Sequence, residues 1–227
     1  LARLRLLVDE QLTLTAEEAL SRLDEFQKPP KDATLGVRKD AVWLHIPLTV
    51  DPASDGRWVL EINHPDLNRI DVLLLQGGKV LQRSVLGTEV PRAQRPLPGR
   101  TPAQAFQLEA GQNYEFLLRV QTRGAMILPI TFNTPTGILG RTVNEQMLQG
   151  VLTGLALCLI FYSMAQWYSL REPLFIQYAL LTSGSLLYSL HFFGVGQQYL
   201  WGHSPWLTSH AVGLASLMAI TGSFLFM

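Results

Sequence analysis

Three short alternating stretches bring chemically useful side chains to the polar side of strands. VWLHIPLTV, from Val42 to Val50, offers Trp43 and His45. WVLEIN, from Trp58 to Asn63, offers Glu61 and Asn63. YEFLLRVQ, from Tyr114 to Gln121, offers Glu115, Arg119 and Gln121. Side chains alternate between faces along a strand, so each set shares one face of its own strand. If the three strands are neighbours in one sheet, Trp43, His45, Glu61, Asn63, Arg119 and Gln121 form one surface. An indole ring can cover the apolar face of a sugar, and the amide, imidazole, carboxylate and guanidinium groups can bond its hydroxyls or a carboxylate. That chemistry suits a polar small ligand, a saccharide among them. The other reading is a solvated sheet face with Trp43 covered by a loop.

Other chemistries have no signal. The chain has no GxxxxGK[ST], HExxH, CxxC or GxSxG, which removes the usual nucleotide, zinc, redox and serine-hydrolase motifs. Gly194-Val195-Gly196 lacks the third glycine and the preceding strand of a dinucleotide fingerprint. The five histidines (45, 64, 191, 203 and 210) show no ligand spacing, so no metal and no cofactor are expected. His203 and His210 read as interfacial polar groups, and His191 lies near a span end. Glu61 and Asp71 are an imaginable acid/base pair of unknown separation. No catalytic constellation emerges, and the segment reads as non-enzymatic. A net charge of zero over 227 residues argues against a nucleic-acid partner.

The apolar parity of the same strands supplies a core. Val42, Leu44, Ile46 and Leu48 alternate with the polar set, as do Trp58, Leu60 and Ile62, and Tyr114, Phe116, Leu118 and Val120. Arg69 to Leu75 is a further strand. Gln76-Gly77-Gly78-Lys79 reads as the turn of a hairpin to Val80–Gln82, and Ile127–Thr131 adds one more strand. Such a series of short strands predicts an antiparallel β-sandwich. Thr15-Ala16-Glu17-Glu18 is a capping box, and it starts a helix expected from Ala16 to about Asp24 or Glu25. That helix is expected to plug one end of the sandwich.

Charge divides the chain in two. From Gln146 to Met227 only Arg171 and Glu172 are charged. A water-soluble domain carries about a quarter charged residues, so this part reads as a lipid-bilayer partner. Met147–Leu170, Leu174 to about Phe193, and Trp206–Met227 are expected spans, with Tyr199, Trp201 and Trp206 as interfacial aromatics. The expected organisation is a β-sandwich over 1–135, a connector over 136–146 and three membrane helices over 147–227. Cys158 reads as a packing residue of the first span. A start at Leu1 and an uncapped end at Met227 lead to the expectation of an upstream signal peptide and further spans downstream.

These residues carry a resemblance. Ala41–Leu48 (AVWLHIPL), Trp58–Pro65 (WVLEINHP), Leu67–Leu74 (LNRIDVLL), Gly77–Gly87 (GGKVLQRSVLG), Arg95-Pro96 and Leu118–Ala125 (LRVQTRGA) resemble the second type of extracytoplasmic domain of bacterial seven-transmembrane receptors with diverse intracellular signalling modules. Gln149–Leu157 (QGVLTGLAL), Tyr168–Leu180 (YSLREPLFIQYAL) and Gly194–Trp201 (GVGQQYLW) resemble the start of that family's seven-helix region. The resemblance covers roughly residues 5 to 227. It implies an all-β jelly-roll sandwich, similar to carbohydrate-binding modules, in the periplasm of a multi-pass inner-membrane protein. It implies a cytoplasmic histidine kinase, diguanylate cyclase or similar output beyond residue 227. Homodimerisation or a receptor partner fits such an output. The family supplies no ligand motif, so the six site residues rest on strand parity alone. The second reading of the sandwich is a docking module for another periplasmic protein.

Overall fold

A computed structural model describes residues 4–29, 34–97, 99–202 and 204–226. The chain forms two compact units, Leu1–Pro135 and Thr136–Met227.

Among the described residues the first unit holds ten strands: β1 (Arg5–Asp9), β2 (Thr34–Val37), β3 (Ala41–Thr49), β4 (Arg57–Ile62), β5 (Arg69–Gln76), β6 (Lys79–Leu86), β7 (Ala103–Gln107), β8 (Asn113–Gln121), β9 (Ala125–Ile127) and β10 (Ile130–Asn133). All pairings are antiparallel. The sheets run β1-β3-β8-β5-β6, β10-β4-β7 and β2-β9. The first two face each other across one core. Val42, Leu44 and Ile46 of β3, Phe116, Leu118 and Val120 of β8, and Ile70, Val72 and Leu74 of β5 meet Leu60 and Ile62 of β4 and Phe106 of β7. The phenyl rings of Phe106 and Phe116 pack edge to face at 5.0 Å. The core parity read from β3, β4 and β8 is the observed one.

Local chemistry explains several junctions. Gln76 pairs with Lys79 across a two-residue turn. Gly77 and Gly78 both have positive φ, 55° and 78°, the conformation that a type I′ hairpin requires. The sequence reading missed β1, β2 and β7, and the single strand expected over Ile127–Thr131 is two, β9 paired with β2 and β10 paired with β4. β1 and β7 carry mixed faces with no clean alternation, and they exist because longer strands already offer an edge.

The N-terminal helix α1 (Ala16–Ser21) has the full capping box, Thr15 Oγ1 accepting from the Glu18 amide and Glu18 accepting from the Thr15 amide. A 3₁₀ turn, Leu23–Glu25, extends it. It does not plug an end of the sandwich. Ala19, Leu20, Leu23 and Phe26 pack on Trp43, Leu73, Leu75 and Leu117, the outward side chains of β3, β5 and β8. The reason is area: those four apolar groups on an outer face need a cover, and the helix supplies it.

The second unit is helical: α2 (Pro135–Leu170), α3 (Pro173–Phe192), α4 (Val195–Tyr199) and α5 (Pro205–Phe226). The segment expected as a connector is helix continuous with the first span. At 36 residues, α2 is about 54 Å long, well beyond a ~30 Å hydrocarbon core. Among the described residues it is the one helix long and apolar enough to cross a membrane by length and hydropathy, and only 11% of its most apolar window is buried within the chain. Cys158, expected to pack, is exposed there. The uncharged α3 is interrupted by Gln177, Thr182, Ser183, Ser185, Ser189 and His191. α3 and α5 meet at glycines. A Cβ on Gly184 would stand 2.4 Å from the Ala219 amide nitrogen, and one on Gly222 would stand 2.6 Å from that of Leu181. Small residues that let backbones approach are how helices associate without a hydrophobic driving force. Arg171 ends α2 in the left-handed region (φ 58°), its amide bonded to the Trp167 carbonyl. Its guanidinium sits 5.2 Å from the Tyr168 ring.

Candidate functional site

The outer face of the five-stranded sheet holds two chemistries side by side. The register aligns Leu7, Trp43, Arg119, Asp71 and Val85 in one row across β1, β3, β8, β5 and β6. The next row is Arg5, His45, Leu117, Leu73 and Arg83. Toward β5 the face is polar. Arg69 donates to Asp71 at 2.9 Å from Nη2, and Arg119 Nη1 lies 3.9 Å from Asp71 Oδ2. Arg119 also donates to Gln121 at 3.4 Å. The hydrogen bonds to Asp71, more than its charge, push the Arg69 guanidinium pKa further up. Toward the strand ends His45 Nε2 lies 2.8 Å from Glu115 Oε2, with the Phe26 ring edge-on to the imidazole. These groups offer donors and acceptors for a polyhydroxylated or carboxylated ligand.

Toward β3 the same face is closed. Trp43 is 3% exposed, packed among Ala19, Phe26, Leu73, Leu75 and Leu117. Among the described residues its Nε1–H has no hydrogen-bond partner. The cover is α1 and its 3₁₀ turn, not a loop.

The condition for one surface, that the three strands neighbour one another in a single sheet, is not met. Trp43, His45, Arg119 and Gln121 lie together on β3 and β8, but β4 belongs to the three-stranded sheet. Glu61 faces outward from that other sheet, is 3% exposed, and accepts from Thr101 Oγ1 at 2.8 Å. Asn63 follows it, exposed, just beyond β4. Alternation gives the face of a strand, not its partners, and β4 crosses to the opposite sheet after the Asp51–Gly56 turn. Glu61 and Asp71 therefore point away from each other on sheets about 10 Å apart, too far to act as a pair. The polar partners Arg69, Asp71 and Glu115 were outside the six. Their signal was the same parity, in strands whose adjacency the sequence does not disclose.

A second cluster was not anticipated at all. Asn68, between β4 and β5, ties three loops. Its Oδ1 accepts from Thr122 Oγ1 at 3.1 Å and from the Arg123 amide at 2.7 Å, and its Nδ2 donates to Thr88 at 3.3 Å. Gly87 (φ 114°) lies so close that a Cβ there would stand 2.4 Å from the Asn68 carbonyl oxygen. His64 is half-buried nearby. Burial pushes its pKa down, opposed by Asp66 and a backbone hydrogen bond at Ala125. Among the described residues no group of His, Cys, Asp and Glu could hold a metal. In the helical unit His191 is buried and stacks on Trp201 at 6.3 Å, and His210 stacks on Trp206 at 4.8 Å. His203 lies outside the described residues.

Comparison with known proteins gives two family matches. Residues 2–134 match the model described as 7TMR-DISM extracellular 2. Residues 145–227 match 7TM diverse intracellular signalling. No curated protein matches. Among solved structures, a presumed beta-galactosidase from Bacteroides fragilis is similar over 57% of this chain and 21% of its own, at 11% identity and a TM-score of 0.35. A likeness that low carries no argument.

Proposed function

Because the chain belongs to the 7TMR-DISM family, pairing its extracellular sensor domain with its membrane signalling region, we propose that it is the periplasmic ligand-sensing part of a bacterial inner-membrane receptor. Neither matched domain is a catalytic one, so this segment senses and transmits. The ligand is a polar small molecule, a carbohydrate by preference. The output is a cytoplasmic histidine kinase or diguanylate cyclase, and a second receptor chain is its natural partner. On this reading the first unit is a jelly roll of the carbohydrate-binding-module type. In support, sequence-adjacent β3 and β4 enter opposite sheets, while β3 lies beside β8 and β4 beside β7.

The observation that carries the ligand class is the half-open polar ladder Arg69–Asp71–Arg119–Gln121. An aliphatic or aromatic ligand would take water from these groups without offering them hydrogen bonds in return. A ligand acts as a signal only if it binds one receptor state better than the other. Calorimetric titration of the full chain in lipid nanodiscs with a saccharide panel tests this. Binding that disappears in Arg119→Ala and Asp71→Ala supports the ladder; binding that survives both moves the site elsewhere. A protein-docking role for the face would need an exposed apolar patch around Trp43, whereas that ring is covered by α1.

A further inference from the structure

The cover over Trp43 has the construction of a strap. It is tied by hydrogen bonds at both ends and by none to the sheet between them. At its start, buried Asp9 accepts from the amides of Thr13 and Leu14, each at 3.2 Å. At its end, Leu6 and Gln27 exchange two backbone hydrogen bonds of 2.8 Å. Among the described residues, every hydrogen bond made by residues 15 to 26 stays within that segment. Its hold on the sheet is apolar contact through Ala19, Leu20, Leu23 and Phe26, with the Phe26 ring also edge-on to His45. Leu12, at the entry, sits at φ 60°, a left-handed conformation unfavourable for a branched apolar residue. A six-residue helix is marginal by itself. Beneath it lies a buried indole whose N–H has no partner, beside the Arg119–Asp71 ladder in the same row.

We propose that residues 13–27 form a displaceable strap over a latent extension of the ligand surface, built from Trp43, Leu73, Leu75 and Leu117. When the strap lifts, the indole offers a flat apolar platform and a free donor next to the polar ladder. The surface then suits a ligand with one apolar ring face and a hydrogen-bond acceptor at its edge. In the closed form the strap occupies that surface itself, so ligand and strap compete, and binding on this surface moves the N-terminal segment. The inference rests on the sensing role proposed above, but strap opening is measurable without any ligand.

Two measurements on the full chain in lipid nanodiscs test it. In hydrogen exchange, amides of residues 16–26 should exchange at least about a hundredfold faster than those of β3 and β8. Thr15→Ala, which removes the helix cap, should speed the strap amides by about fivefold and leave β3 and β8 unchanged. In a Cys158→Ser background, Leu73→Cys under the strap should react with iodoacetamide far faster than Leu118→Cys between the sheets, and Thr15→Ala should speed the first alone. Strap amides that exchange only as slowly as β3 and β8, or equal reactivity of the two cysteines, would overturn the strap. A strap that opens in a protein that binds no saccharide leaves this inference standing and removes the ligand class proposed above.

Discussion

Two residues apart on β3, Trp43 and His45 face the same way and do different work. Trp43 is a covered core residue of the outer face; Trp43→Ala should cost about 3–5 kcal/mol of unfolding free energy, as large-to-small changes in packed sites do. Loss of ligand in that variant would then report folding as much as contact. Arg119, its side chain 17% exposed and 3.9 Å from Asp71, is the better probe: Arg119→Ala should cost about 1–2 kcal/mol of stability, less than Trp43→Ala, while removing binding. His64 sets a pH dependence. Burial lowers its pKa in the fold, so the folded chain holds it neutral while the unfolded chain takes up a proton below about pH 6.5. Stability is therefore full above that pH and falls as the pH drops toward the lowered folded value. Urea unfolding between pH 7.5 and 5 should show this slope, and His64→Gln should flatten it.

Among the elements, glycine contacts give the sharpest tests. Gly87 combines positive φ with backbone contact to Asn68, so Gly87→Ala should destabilise the loop end by more than about 1 kcal/mol. Protection of the Thr88 and Arg123 amides in hydrogen exchange would report it. In the helical unit, Gly184→Val should force α3 and α5 apart, since the Cβ site is already filled by the α5 backbone. Cysteine cross-linking between the two helices, lost in that variant, would show it; Gly150→Val is the control, because a Cβ there meets open space. The hairpin turn at Gly77-Gly78, the capping box and the core parity were readable because each is decided within a few residues. β1 and β7 were not, because each is a strand only by virtue of the edge it joins.

For the whole molecule, charge distribution was the most informative feature. Confining charge to the first 145 residues, Arg171 and Glu172 apart, separates a part built for water from one built for lipid, since an ionised group is costly in hydrocarbon. Residue order and motif spacing carried the family, and both matched regions fall on that division. By itself, then, the sequence determined the long alternating strands β3, β4, β5 and β8, which of their faces is apolar, where the helix cap sits and which part is built for the bilayer. All of these follow from period-two alternation, local turn chemistry or transfer free energy, which act along the chain. Only the tertiary structure decided that β4 leaves the sheet of β3 and β8, that Glu61 and Asn63 part from Arg119, and that α1 lies on Trp43 instead of an open end. Those outcomes turn on pairings between segments distant in sequence. A strand's alternation is the same whichever neighbour it finds, so the choice is made by burial of the assembled faces.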